Sequence, residues 1–366
     1  MNIIKKKISD LCDKGASSLA KKDLLGKSGP YPVYGADGMV GSVDFFQQNK
    51  KYIAIIKDGA GVGRVYRFDE KTSILGTMQY ILPKDSVDYS FLYYALKSIY
   101  YSKYIKGAAI PHIYFKDYSC EEIPLPPMEE QKKIAARLDA VSDLLAKQKQ
   151  LLAEQDTLIQ SLFYDMFGIP FKNDKNSQMI SIGDIVSDVQ YGTSKKADTS
   201  GSTPILRMNN IKYSGEMDYS DLKFIDLGEE TNKYLLKKGD ILFNRTNSKE
   251  LVGKTGVYNL DSPMVFAGYL IRVRLKDNFL PICFSVYMNT PYLKAFFLEK
   301  CKSIVGMANI NAKELQRIPI YLPPLELQEK FAAIVEQIEA EKSKIKSAIT
   351  ETQTLFNALM AEYFEE

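Results

Sequence analysis

The chain has 366 residues, of which 45% are apolar and 25% charged, and a formal net charge of +3. That length predicts two domains with separate cores, and no apolar run approaches the ~20 residues that a bilayer-spanning helix needs, so a soluble cytoplasmic protein with no membrane partner is expected. The single histidine, His112, excludes a His-rich metal site, an HExxH helix and paired imidazoles; with no GxSxG elbow present, neither catalysis, metal nor cofactor is expected of the chain itself.

The first fifteen residues, MNIIKKKISDLCDKG, carry lysines but no apolar stretch behind them, so no secretory signal is expected. Cys12, Cys120, Cys283 and Cys301 form no CxxC pair, which argues against a zinc ribbon or disulfide framework and for reduced, buried thiols. Residues 1–125 hold short β-branched and aromatic runs such as Tyr52-Ile53-Ala54-Ile55-Ile56 between Gly, Asn and Asp turns, the pattern of an α+β globule with a curved sheet. At Leu125-Pro126-Pro127-Met128-Glu129-Glu130-Gln131 the composition changes, and no Gly or Pro follows until Gly168. The spacing predicts a helix of roughly 40 residues, about 60 Å long at 1.5 Å per residue. The prolines suit its first turn, and Gly168 and Pro170 its end. Ile134, Leu138, Val141, Leu145, Gln148, Leu152, Gln155, Ile159, Leu162 and Met166 fall on alternating steps of four and three, the mark of a coiled-coil seam.

After a linker at 169–177, a second globule spans 178–322. Its opening, Ser181-Ile182-Gly183-Asp184-Ile185, echoes Lys7-Ile8-Ser9-Asp10-Leu11, and then the two diverge, although runs such as Met264-Val265-Phe266 and Tyr269-Leu270-Ile271 again read as strands. Leu322-Pro323-Pro324-Leu325-Glu326-Leu327-Gln328 repeats the earlier motif 197 residues on. The helix after it, within 323–366, repeats the seam as Phe331, Val335, Ile338, Lys342, Ile345, Ile349, Thr352, Phe356, Leu359 and Tyr363. The chain is thus a tandem duplication: two α+β domains, 1–125 and 178–322, each followed by a long helix, 126–168 and 323–366. The helices are expected to pair as an antiparallel coiled coil with pseudo-twofold symmetry, with Gln155 and Thr352 helping to set its register.

Charge divides along the same line. Residues 323–366 carry nine acidic and four basic side chains, and 126–168 seven acidic and five basic, which leaves an excess of ten positive charges on the rest of the chain. Basic globules on an acidic rod are an electrostatic footprint for phosphate backbones, although a solvated lysine-rich surface has the same composition.

The duplicated LPP-x-E-x-Q helix, with Tyr31-Pro32-Val33-Tyr34-Gly35-Ala36, Lys57-Asp58-Gly59-Ala60-Gly61-Val62-Gly63-Arg64 and Leu75-Gly76-Thr77-Met78 in the first globule, and with the runs Gly239–Ser248 and Leu251–Val257 in the second, resembles the specificity subunit of type I DNA restriction-modification systems over the full length. The resemblance implies two target recognition domains, each reading half of a split double-stranded DNA site. It implies helices that space them and dock two methyltransferase subunits, which bind S-adenosylmethionine, and a separate restriction or motor subunit that uses ATP. No NPPY-like methyltransferase motif occurs in this chain. Two rivals are a phosphate-handling enzyme built on the Gly-rich loops and a coiled-coil structural protein without selective DNA binding.

Those loops match neither nucleotide fingerprint. Gly59-Ala60-Gly61-Val62-Gly63 has GxGxG spacing and precedes a strand-like run, and Gly253-Lys254-Thr255 lacks the first P-loop glycine, Ser248 standing there. They are read as tight sheet turns, or as glycines that let backbone approach DNA while Lys57, Arg64, Arg245 and Lys254 reach phosphates or guanines. Asn209, Asn210, Asn244 and Asn247 cluster around Arg207 and Arg245, and Asn pairs with adenine as Arg does with guanine; each asparagine taken singly is equally a turn cap. In the first globule Thr77, Gln79 and His112 are weaker candidates for DNA contact, His112 being more readily a packed residue. Leu144, Leu151 and Leu158 form a second apolar stripe beyond the seam, expected to bind a partner subunit.

Overall fold

The computed structural model describes residues 4–172, 174, 175, 177–301 and 308–365. Every side chain of the apolar strand Tyr52–Ile56 is buried, so it must lie inside a sheet with both faces covered. It does: the four-stranded antiparallel sheet runs Cys12–Ala16, Met78–Pro83, Tyr52–Ile56, Val65–Phe68. A three-stranded sheet beside it orders Gly38–Val43, Tyr31–Gly35 and Ser73–Ile74, the last pair parallel. Ile4–Lys7 pairs with Glu122–Leu125 and closes the globule at the start of the long helix Met128–Phe167.

The second globule repeats this arrangement although its sequence diverges. Its four-stranded sheet runs Val186–Tyr191, Leu270–Leu275, Ile241–Asn244, Thr255–Val257. Its three-stranded sheet runs Lys223–Ile225, Thr203–Leu206, Val265–Phe266, again with one parallel pair. Gln178–Ser181 pairs with Pro319–Leu322 just before the second long helix, Leu325–Phe364.

The chain divides into two compact units, Met1–Lys149 with Ser347–Glu366, and Gln150–Lys346. Both long helices therefore contribute to both units, and inside each unit they pair antiparallel. In the first, Arg137 donates to the Tyr363 hydroxyl at 3.0 Å, and Leu138 and Leu145 share a core with Phe356 and Met360. In the second, Phe331 packs against Phe163 and Phe167, and Lys342 meets Asp156 at 2.6 Å. The expected seam is the buried one, with Ile134, Leu138, Leu145, Ile159, Phe331, Val335, Ile338 and Phe356 all inside.

Three details differ from expectation. Thr352 donates its hydroxyl to Ala348 of its own helix, and the Gln155 side-chain oxygen is buried with no partner among the described residues, so neither sets register. That role falls to Lys342, whose buried ammonium binds Asp156 across the seam and Glu339 on its own helix, each at 2.6 Å. Third, Cys120 is exposed while the other three thiols are buried. Among the described residues no helix is long and apolar enough to cross a membrane.

Candidate nucleic-acid interface

Matching hydrogen bonds give the two globules a common frame. In the first, Gly63 N donates to Ile56 O, Ile56 N to Arg64 O, Lys57 N to Thr77 O, Ile113 N to Lys57 O and Gly76 N to Leu19 O, all at 2.8–3.0 Å. In the second the same bonds join Gly253 to Asn244, Asn244 to Lys254, Arg245 to Tyr269, Ile310 to Arg245 and Gly268 to Thr193. Lys57 thus corresponds to Arg245, Arg64 to Lys254, Thr77 to Tyr269 and His112 to Asn309.

Both Gly-rich loops connect antiparallel strands, Tyr52–Ile56 to Val65–Phe68 and Ile241–Asn244 to Thr255–Val257. Neither opens a helix, so neither offers the helix N-terminus on which dinucleotide and P-loop sites depend. Gly63 and Gly253 have φ of +87° and +89°, and a Cβ there would lie 2.7 Å from Tyr101 and 2.4 Å from Phe297. Only glycine allows both that backbone and that approach.

In this shared frame each globule carries a groove at the same place, beneath the loop that follows the first strand of the larger sheet. The groove of the second globule encloses about 850 Å³ and is lined by Lys195, Lys196, Arg207, Lys223 and Arg245, with Asn209, Thr246, Tyr269 and Asn309 but, among the described residues, no carboxylate. The Arg245 guanidinium lies 4.8 Å from the Tyr191 ring centroid, and its Nη1 donates to the Gly268 carbonyl at 3.5 Å. Stacking on an aromatic face holds the planar fork while leaving donors free. Arg207 is held by the Asp221 carboxylate at 2.8 Å, and among the described residues the Nε atoms of both arginines have no partner. The corresponding groove of the first globule encloses about 550 Å³ and is lined by Ser17, Ser18, Lys21, Asp37, Gly35 and Thr77, among others.

Of the residues singled out in the sequence, Arg207, Asn209 and Arg245 meet in one groove and Thr77 lines the other. Arg64 is exposed, Gln79 is half-buried on its strand opposite Ala16, and Lys57 is ion-paired to Asp58 at 3.3 Å. His112 packs its ring edge-on against Tyr114, 4.8 Å between centroids, and pairs its backbone with Lys106. Asn247 lies on the short strand Thr246–Asn247, and its side chain is outside the described residues.

Three residues belong to the interior instead. Asn244 is fully buried, its amide donating to Leu251 O at 3.1 Å. Asn210 is buried and accepts from Arg207 N at 2.9 Å. Lys254, only 7% exposed, donates to Met208 O and Ile211 O at 2.8 and 2.6 Å. None of the three can touch DNA where it stands. Lys195, Lys196, Lys223 and Asn309 carry no motif and were not legible; strand pairing delivers Lys223 beside Ile205 and Asn309 beside Thr246, and Lys195 and Lys196 come from the loop after Val186–Tyr191. On the long helix, Leu144, Leu151 and Leu158 are 46%, 44% and 44% exposed.

Comparison with known proteins bears on the fold and the family. A family profile described as "Type I restriction modification DNA specificity domain" matches residues 2–155 and 174–352. The type I restriction enzyme EcoKI specificity subunit of Escherichia coli K12 is 25% identical over 307 residues, 77% of this chain; the match spans 66% of that relative's length. The MjaVIII specificity subunit of Methanocaldococcus jannaschii is 25% identical over 333 residues, covering 82% of this chain and 76% of the relative. The crystal structure of a type I restriction-modification S subunit from M. genitalium superposes with a TM-score of 0.64 at 20% identity, covering 99% of this chain and 96% of that one, and so shares the fold. With the family profile matched across both globules and both helices, the chain belongs to the specificity subunits of type I restriction-modification systems.

Proposed function

We propose that the chain is the non-catalytic reader of its complex: each globule binds one half of a bipartite duplex DNA site through its groove, the helix pair fixes the unread gap, and the outer helix face docks methyltransferase subunits. The observation that carries this reading is the pair of grooves. They occupy one place in a repeated strand arrangement yet differ in chemistry, Arg207, Asn209 and Tyr269 standing where the first globule has Gly35, Asp37 and Thr77, and Arg245 lining only the second. Unlike linings in equivalent places are what two unlike half-sites require, because arginine and asparagine forks select guanine and adenine edges. The exposed leucines at seven-residue spacing give a helix face that a partner helix would cover, and S-adenosylmethionine belongs to that partner.

Gel shift of the chain, alone and with type I methyltransferase subunits, on random duplex followed by sequencing of the bound pool tests the DNA reading. Two short unlike motifs at a constant gap are expected; a bound pool with no motif overturns it. Copurification of the methyltransferase with the chain should be lost when Leu144, Leu151 and Leu158 are replaced by Glu, and its persistence would remove that face from the docking surface.

A further inference from the structure

Lys254 and Arg64 hold the same backbone position in the two globules but send their charges in opposite directions. Arg64 is exposed. Lys254 turns inward and donates to Met208 O and Ile211 O, which bracket the tight turn Met208–Asn210. Asn210 closes that turn from the other side, its Oδ1 accepting from Arg207 N at 2.9 Å and its Nδ2 donating to Asp218 O and Asp221 O at 2.8 and 3.0 Å. Burial alone moves the Lys254 pKa below the ordinary lysine value, with no carboxylate to offset it. An enclosed ammonium without a counter-ion is costly, and a methionine would fill the space without that cost. What the ammonium adds is the two hydrogen bonds to the turn.

The residues on either side of those bonds, Arg207 and Asn209, line the cationic groove. We propose that Lys254 and Asn210 are positioning residues for base readout, fixing the Arg207–Asn209 segment so that its side chains are presented to DNA in one conformation. This rests on the reading of the groove as a DNA interface. It separates two roles that sequence alone merges: Arg64 as a phosphate contact, Lys254 as a scaffold.

Salt titration of binding, combined with selection from random duplex, tells these roles apart. A side chain that neutralises one phosphate contributes about one unit to the slope of log K against log salt, whereas one that only shapes the site contributes none. In the full chain, Lys254→Met is expected to lower discrimination about tenfold at the bases read by the second globule, to leave the other half-site untouched, and to leave the slope unchanged. Asn210→Asp, which keeps the acceptor and loses the donor, should do the same more weakly, and it serves if Lys254→Met does not fold. In an Arg207→Ala/Asn209→Ala background, Lys254→Met should add nothing to the loss. A fall in slope of about one unit, unchanged discrimination, or an additive effect in that background would overturn the proposal while leaving DNA recognition by the chain standing. Failure of the unaltered chain to select any sequence would remove both.

Discussion

At the residue scale, adjacent polar residues do opposite jobs because extended backbone turns successive side chains to opposite faces. Asn244 faces the core and Arg245, next along the chain, faces the groove. This is why composition singled out one neighbourhood, Arg207 to Asn210 and Asn244 to Lys254, but could not separate groove-lining from buried side chains: the sorting depends on which carbonyls lie within reach, and those come from distant strands. The exposed members carry the prediction. Arg245→Ala should cost about 1–3 kcal/mol at one base position and little elsewhere, while Arg64→Ala should weaken all sequences alike and lower the salt slope by about one. Binding measured on a panel of single-base variants at several salt concentrations checks both; uniform loss from both substitutions would show that the division of roles is wrong.

At the element scale, the long helices were the most legible part of the chain, since a heptad pattern free of Gly and Pro depends only on local spacing. The function of the glutamine in the duplicated motif was not, because its partners lie elsewhere in sequence. Gln131 accepts from Asp88 N and donates to Pro126 O, both at 2.8 Å. Gln328 accepts from Leu280 N at 2.8 Å and donates to Pro323 O and Asn278 O. Each glutamine ties the first turn of a long helix to the start of the globule's own helix, Tyr89–Lys97 or Pro281–Asn289. Replacing either with Leu leaves a part-buried N–H and the proline carbonyl behind it without that partner, expected to cost about 1–3 kcal/mol in denaturant unfolding; a loss under about 0.5 kcal/mol, the range of ordinary surface substitutions, would assign the motif another purpose. The seam also carries a pH signature. Burial works against the Lys342 charge, but Asp156 and Glu339 outweigh it and hold its pKa above the ordinary 10.5. A cation whose pKa is raised on folding contributes its full stabilisation below the unfolded value, and the contribution fades as pH rises through the folded one. The stability difference between the unaltered chain and Lys342→Met should accordingly be constant up to about pH 10 and shrink above it; a difference independent of pH would mean that the ion pair adds nothing.

At the scale of the whole molecule, duplication is preserved in topology where it has been erased in sequence. Only the opening residues and the helix motif showed the repeat in the amino acids, yet both globules have the same seven-strand arrangement in two sheets, with the same parallel pair in the smaller one. Strand order is held by alternation and burial, which many sequences satisfy, whereas groove linings are free to change without disturbing the core. That separation makes the globules exchangeable in principle. The second begins and ends on the paired strands Gln178–Ser181 and Pro319–Leu322, as the first does on Ile4–Lys7 and Glu122–Leu125, so a graft bounded by 178–322 keeps the ladder that joins each globule to its helix. Replacing those residues with the corresponding globule of another family member should change one half of the selected DNA motif and preserve both the other half and the gap. If the graft instead alters both halves, recognition is a property of the two globules acting jointly, and the assignment of one groove to each half-site fails.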